Sequence, residues 1–270
     1  YEMGGAAKQK ESLFGLLRSI KSLKEYFGQV YVNNGEPIRI NALRDKNKRD
    51  WRDGTGDTDE RPLWINKVSD ELGETIMSEI NAAAAVTPIS LLAYALLATP
   101  KQSMGEQELR SQLDLSKSLL KRFKYSDLVT VPDWTADEII DHGEKLKVIS
   151  RTAHPLGDVI SMSEREAVLM TYFRNNIQHL FALPAAIACC FIQGRTLPHG
   201  ELQRLVAMIY PFMKKELRLQ WDEADINDIT STAIDALIAE EILIRDGDNL
   251  VRPPTGSAPA FRLMMLGHSM

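Results

Sequence analysis

The chain has 270 residues, of which 44% are hydrophobic and 26% are charged, the balance of an ordinary globular protein. This length suffices for one or two domains with a sizeable core, and the composition excludes disordered, collagen-like and disulfide-scaffold chains. The 32 basic and 37 acidic residues give a formal net charge of −5. General nucleic-acid binding, which needs a basic surface, is therefore not expected.

Residues 1–60 have the pattern that ends an α/β domain. Apolar residues recur at helical spacing over residues 8–27, with basic residues on the other side, which predicts an amphipathic helix. Its basic face lies either on the domain surface or near anionic lipid. Val30 and Val32 then favour a short strand, and the charged, glycine-containing residues 41–62 favour a linker. We therefore place a helix-plus-strand remnant of an α/β domain in residues 1–60.

The patterns after the linker are almost entirely helical. The pairs Ser103 with Glu106 and Thr135 with Glu138 have the spacing of capping boxes. The exception is a β-type pattern on both sides of a turn at residues 246–249, which predicts a hairpin. A helix followed by a hairpin is the outline of a winged-helix module, and no internal repeat is evident. The predicted fold class is mainly α: the terminal remnant, then a multi-helix C-terminal domain over residues 61–270 with a small β-hairpin, truncated at its end.

Two uncharged runs, residues 82–99 and 175–194, are long enough to cross a membrane. Both contain proline and polar residues, so we expect buried core helices instead. The second run holds Cys189 and Cys190, which we expect to be inert packing thiols. Neighbours on a helix point about 100° apart, so a bond between them is disfavoured. The chain begins with Tyr1 and shows no signal peptide, and we expect a piece of a longer protein from a reducing compartment.

The helix that follows Ser163 carries an unusual polar stripe. Its members are Tyr172, Asn175, Asn176 and His179. At 100° per residue they fall within one arc of about 100°. Two interpretations stand: a hydrogen-bond network between helices, or a surface that contacts an anionic substrate. For the second we take Arg174 and His179 as candidate substrate-binding residues.

No catalytic or metal centre is visible in the sequence. The histidines have no cysteine or paired histidine at ligand spacing, so no metal is expected. Phosphate-binding glycine loops and the nucleophile-elbow motif do not occur.

Five segments together resemble the C-terminal part of the bacterial membrane-associated glycerol-3-phosphate acyltransferases. They are GGAAKQKESLFGLLRSIKSL at 4–23, YVNNGEPI at 31–38, IDHGEKL at 140–146, EREAVLMTYFRNNIQHLFALPAAIA at 164–188 and IYPFMKKELRLQW at 209–221. The segments keep their order over most of the chain. The run from Tyr172 to His179 is the most specific.

The resemblance implies a parent enzyme that transfers a fatty acyl group from acyl-CoA or acyl-carrier protein to sn-glycerol 3-phosphate. This is the first step of phospholipid synthesis. The resemblance places the parent at the cytoplasmic face of the bacterial inner membrane, bound peripherally to the membrane surface. It implies no cofactor beyond the acyl-CoA or acyl-carrier-protein co-substrate, no metal and no nucleic-acid partner.

The catalytic motifs of that family do not occur in this sequence. The family uses a His-x-x-x-x-Asp motif, whose histidine is the general base, and a Glu-Gly-Gly-Arg-Ser motif that holds phosphate. The residues five positions after His142, His154, His179 and His199 are Lys147, Val159, Pro184 and Arg204. We therefore predict no catalytic residue here and a fragment that is inactive alone. The alternative is a helical interaction or regulatory module that packs on a separate partner or enzyme domain.

Overall fold

The computed structural model describes residues 29–47, 63–194 and 196–269. By compactness the chain divides into Tyr1–Val30 and Tyr31–Met270, and the elements below belong to the second unit. The predicted basic helix over residues 8–27 lies outside the described residues, as does most of the predicted linker. The described part of that linker, residues 41–47, is helical, which corrects the prediction there. The division into domains at residue 60 stays a prediction.

Helices dominate the part of the chain that the structure describes. It contains nine helices and six three-residue strands, which confirms the mainly α fold class. The helices are α1 (Ile40–Asn47), α2 (Leu63–Ala82), α3 (Pro88–Leu97), α4 (Glu106–Arg122), α5 (Ala136–Lys145), α6 (Glu164–Phe191), α7 (His199–Leu217), α8 (Ile226–Ala239) and α9 (Ala258–His268). The strands are β1 (Ser103–Gly105), β2 (Ser150–Thr152), β3 (Val159–Ser161), β4 (Thr196–Pro198), β5 (Ile244–Asp246) and β6 (Asn249–Val251).

The strand predicted at Val30 and Val32 is not found. Residues 29–39 have no regular secondary structure, and both valine side chains are exposed. A strand is held by its hydrogen-bond ladder to a neighbour, and no strand among the described residues pairs with this segment. The β propensity of two valines therefore does not make a strand here.

Of the two predicted capping boxes, one is confirmed and one is wrong. Thr135 and Glu138 form the expected capping box at α5, and Ser163 caps α6 through the amide of Glu166. The capping box predicted at Ser103 is wrong, because Ser103 belongs to β1 and α4 begins after Gly105 without a side-chain cap. Ser103 pairs with Ser161 of β3 instead of capping a helix.

Six helices and all six strands described form two modules with the same order of elements. Module 1 runs over residues 88–161 as α3-β1-α4-α5-β2-β3, and module 2 over residues 164–251 as α6-β4-α7-α8-β5-β6. In each module the last strand lies in the middle of an antiparallel three-stranded sheet, β3 between β1 and β2, and β6 between β4 and β5. The predicted hairpin is confirmed as β5 and β6, and the winged-helix outline occurs twice.

The two modules match position by position. Buried residues of β1 and α4 have buried equivalents 93 positions later in β4 and α7: Met104 and Leu197, Leu109 and Leu202, Leu113 and Val206, Leu120 and Met213. The turn after the third helix also agrees, because Lys147 and Glu241 have φ angles of 59° and 60°. In both turns the next amide bonds a carbonyl five residues earlier, as at many helix C-termini. The expectation of no internal repeat is therefore wrong, because the modules share burial and spacing rather than residue identity.

The core lies where α3 packs against the second half of α6. Every residue from Pro88 to Leu96 is buried, and the rings of Tyr94 and Phe181 stack with centroids 4.2 Å apart. These segments come from the two uncharged runs, so the prediction of core helices is confirmed. None of the described helices combines the length and the hydropathy needed to span a bilayer.

Candidate functional site

The polar stripe of α6 is divided between surface and core. The helix is buried almost throughout from Ile177 to Ala188, whereas much of its first half is exposed. Tyr172 is 66% exposed and His179 is 4% exposed; Asn175 and Asn176 are exposed. One helical face therefore holds two different environments, because only the second half of α6 is covered by other helices.

His179 is a buried, hydrogen-bonded histidine. Its Nε2 atom lies 3.0 Å from the carbonyl oxygen of Asn81, and its ring contacts the edge of Tyr125 at a centroid distance of 5.1 Å. Burial lowers the pKa of His179 to about 4, since loss of water disfavours the charged ring. At neutral pH the ring is therefore uncharged, and Nε2–H donates to the carbonyl.

Asn81 extends this contact into a network between three helices. It lies at the end of α2, and its Nδ2 atom donates to the carbonyls of Leu217 and Arg218 at 2.8 and 3.2 Å. The last turn of α7 exposes carbonyls that lack helical partners, and Asn81 satisfies two of them. For His179 this geometry matches the first interpretation of the stripe, a hydrogen-bond network between helices. Contact with substrate stays a prediction.

Arg174 is not part of this network. Its Nε and Nη2 atoms donate to Oδ1 of Asn175 at 3.3 and 3.0 Å. Five positions on an α-helix separate side chains by about 140°, so Arg174 and His179 point in different directions from α6. The structure therefore does not bring the two candidate residues together on one side of the helix.

A mixed-charge cleft lies next to the buried network. It has a volume of about 480 Å³ between α2 and the end of α7, and is lined by residues that include Glu74, Ser78, Lys214, Lys215 and Arg218. An adjoining opening of about 710 Å³ shares two of these cations and adds Gln178, Phe212 and Leu217. Such a site could accept an anionic group with an apolar tail.

Two of the three cations that line the cleft are paired with carboxylates. Arg218 lies 3.4 Å from a carboxylate oxygen of Glu74, and Lys214 lies 3.3 Å from Asp222. In the described part of the chain no ion pair involves Lys215. The sequence signal for these residues is the KKELR run within IYPFMKKELRLQW, which the predicted site does not include. Only the tertiary structure brings this run beside α2.

The described residues show no metal centre and no activated thiol. They contain no group of three or more His, Cys, Asp or Glu side chains that could hold a metal ion. Cys189 is exposed as a residue, although its thiol group is partly buried, so the predicted packing holds only for the thiol. Its Sγ atom lies against α9, donates to the carbonyl of Gly267 at 3.0 Å, and has its pKa raised by partial burial. A thiol kept protonated is a weak nucleophile.

The YVNNGEPI segment at 31–38 is anchored to the helices. The carboxamide nitrogen of Asn33 donates to Oγ1 of Thr130 at 3.0 Å and lies 3.4 Å from the carbonyls of Ala84 and Leu128. Two positions later, a side chain on Gly35 would come within 3.2 Å of Glu79, whose carboxylate accepts from the amide of Glu36 at 3.0 Å. The segment is therefore held by polar contacts where the sequence predicted a strand.

Comparison with known proteins places this arrangement in a family. The family model described as the glycerol-3-phosphate acyltransferase C-terminal region matches residues 1–270. Proteins named glycerol-3-phosphate acyltransferase match the whole chain: one from Xanthomonas axonopodis pv. citri is 44% identical, one from Xylella fastidiosa 39%, and one from Pseudomonas putida 36%. The chain spans 31–32% of the length of these relatives. The match confirms the resemblance, and the chain belongs to the glycerol-3-phosphate acyltransferase family, as its C-terminal region.

Proposed function

We propose that this chain is the non-catalytic C-terminal region of a glycerol-3-phosphate 1-O-acyltransferase. The parent protein would transfer a fatty acyl group from acyl-CoA or acyl-carrier protein to sn-glycerol 3-phosphate, the first step of phospholipid synthesis. The observation that carries the proposal is the match of all 270 residues to the C-terminal region of this family. No cofactor beyond the acyl donor is needed for this reaction.

On this proposal, the general base is a residue of the parent protein outside this chain. The 1-hydroxyl oxygen of glycerol 3-phosphate attacks the thioester carbonyl, the carbon–oxygen ester bond forms, and the carbon–sulfur bond breaks. The hydroxyl proton passes to the base and then to the leaving thiolate, which becomes the free thiol. In the sequence no histidine is followed five positions later by aspartate. The buried His179, bonded to Asn81 at 3.0 Å, is oriented for packing.

An acyltransferase assay of this 270-residue chain beside the parent protein tests the proposal. We expect radiolabelled glycerol 3-phosphate to be acylated by the parent and not by the chain. Far-UV circular dichroism of the chain, which should show mainly helix, controls for folding. Acylation by the folded chain alone would contradict the assignment. Failure of the parent, when folded and supplied with both donors, would favour the interaction-module alternative.

Within this function, we propose that Arg174 contacts the phosphate of the substrate. Arg174 is only partly buried, and its guanidinium donates to the neutral side chain of Asn175, which leaves it able to form charge-assisted bonds with an anion. In the parent protein, Arg174→Gln should raise KM for glycerol 3-phosphate with little change in Tm. Arg165→Gln, in the same exposed half of α6, is the matched control. Equal KM values in the two variants would contradict this role.

We also propose that the parent binds the cytoplasmic face of the bacterial inner membrane peripherally. The support is the sequence pattern of residues 8–27, with apolar residues on one side and lysines on the other, as in helices that lie on anionic lipid. In the parent, Lys21→Glu combined with Lys24→Glu should weaken sedimentation with anionic liposomes. Unchanged sedimentation would remove this helix from the membrane contact.

A further inference from the structure

The second helix of module 1 has two apolar faces. Leu109, Leu113 and Leu120 face the interior of the module, whereas Leu115, Ser118, Leu119 and Arg122 recur at helical spacing on a second, outer face of α4. Leu115 and Leu119 are each 2% exposed. Ser118 and Arg122 bond the carboxylate of Glu240 at the end of α8. The outer face of α4 is therefore covered. The end of α8, in module 2, provides the contact at its polar end, and α9 also packs on α4.

The equivalent face of α7 is open. The positions 93 residues later are Met208, Pro211, Phe212 and Lys215, which we call the outer face of α7. Met208 is 64% exposed and Phe212 is 79% exposed. Like the outer face of α4, the outer face of α7 carries two large apolar side chains and one cation at the same spacing. At this face the modules differ in that, among the described residues, Met208 and Phe212 of α7 have no cover.

The structure also contains the beginning of a third unit in the series. Helix α9 follows β6 as α6 follows β3, and it packs along α6 as α6 packs along α3. The contact is close, because a Cβ atom on Gly267 would come within 2.7 Å of Ile192, and Cys189 donates to the carbonyl of Gly267. Helix α9 therefore holds the place of the first helix of a further module.

We propose that the outer face of α7 is the docking surface for a third module of the parent protein, which begins with α9 and continues in chain beyond residue 270. The relatives that match this chain are about three times as long, so a parent of that length has room for a further module. The position of that module after residue 270 is part of the proposal and rests on the place of α9 in the series. By the pattern of modules 1 and 2, the third helix of that module covers Met208 and Phe212 with apolar side chains. A carboxylate at its end pairs with Lys215, as Glu240 pairs with Arg122.

Hydroxyl-radical footprinting of the parent protein tests whether the face is covered. Methionine and phenylalanine oxidise readily when exposed, so Met208 and Phe212 report on the face without any substitution. We expect both to be oxidised as slowly as Met170, which is buried in this chain, and to lose that protection when the parent is unfolded in urea. Rapid oxidation of Met208 and Phe212 while Met170 stays protected would overturn the proposal.

A photo-crosslinking phenylalanine analogue in place of Phe212 identifies the cover in the same full-length protein. We expect an intramolecular crosslink to a residue that follows position 270. The analogue in place of Leu156, which is exposed on the β2–β3 turn of module 1, is the matched control and should give no such crosslink. A crosslink to chain that precedes Tyr1, or between isotope-labelled and unlabelled copies, would overturn the assignment of the occupant. Neither outcome depends on acyl transfer, so this inference can fail without the proposed function failing.

Discussion

The protonation of His179 offers a direct test of the buried network. Its pKa falls from an ordinary 6.5 to about 4 in the folded chain, so between these values the unfolded chain binds more protons than the folded chain. The free energy of unfolding must therefore decrease as pH falls through this range. The stabilising contribution is fully present above pH 6.5 and is lost as the pH approaches 4.

The size of the effect follows from the two pKa values. One pKa unit corresponds to about 1.4 kcal/mol, so the neutral, buried His179 should account for a loss of about 3 kcal/mol between pH 7 and pH 4. Carboxylates also titrate in this range and change the unfolding free energy. A variant without the titrating ring is therefore needed to isolate the contribution of His179. His179→Gln keeps an N–H donor for the carbonyl of Asn81 and removes the titrating ring.

Urea denaturation at pH 7, 6, 5 and 4 measures the difference. The unfolding free energy of the unsubstituted chain should fall more steeply than that of His179→Gln, and the two curves should diverge by about 3 kcal/mol at pH 4. Parallel curves would refute the argument. An NMR titration that gave His179 a pKa near 6.5 would also refute the argument, because such a value would mean that the ring is in contact with water.

Two further substitutions test contacts that the fold depends on. Asn33→Ala should lower the unfolding free energy by about 0.5–1.5 kcal/mol because it removes the partly buried hydrogen bonds to the carbonyls of Ala84 and Leu128. Asn34→Ala, at an exposed neighbour, should change it little; equal urea midpoints would contradict the anchor. Gly267→Ala should destabilise the chain by up to about 1 kcal/mol, because the new methyl group must displace the end of the Ile192 side chain and approaches the backbone nitrogen of Cys189 at 3.3 Å. Gly200→Ala, where nothing lies within 4 Å, should stabilise α7 slightly. Thermal unfolding of both glycine variants checks the opposite signs.

Local sequence patterns correctly predicted those features whose hydrogen bonds join residues close together in sequence. The capping box of Thr135 and Glu138 and the hairpin around residues 246–249 are present as predicted, because their hydrogen bonds join residues a few positions apart. The burial of α3 was also predictable, since nine successive residues without charge can be accommodated only in a core.

Contacts between distant residues decided the rest. Ser103 lies in a strand because it pairs with Ser161, and Val32 stays outside a strand because no described strand lies beside it. The stripe from Tyr172 to His179 is continuous along α6 in sequence, yet it is split because only its His179 end is covered by other helices, where the ring bonds the carbonyl of Asn81, 98 positions away. By itself, the sequence determined most of the helices that follow residue 62 and the family to which the chain belongs. Tertiary structure decided the two modules, the buried network and the open face of α7, since burial depends on what the rest of the chain brings alongside.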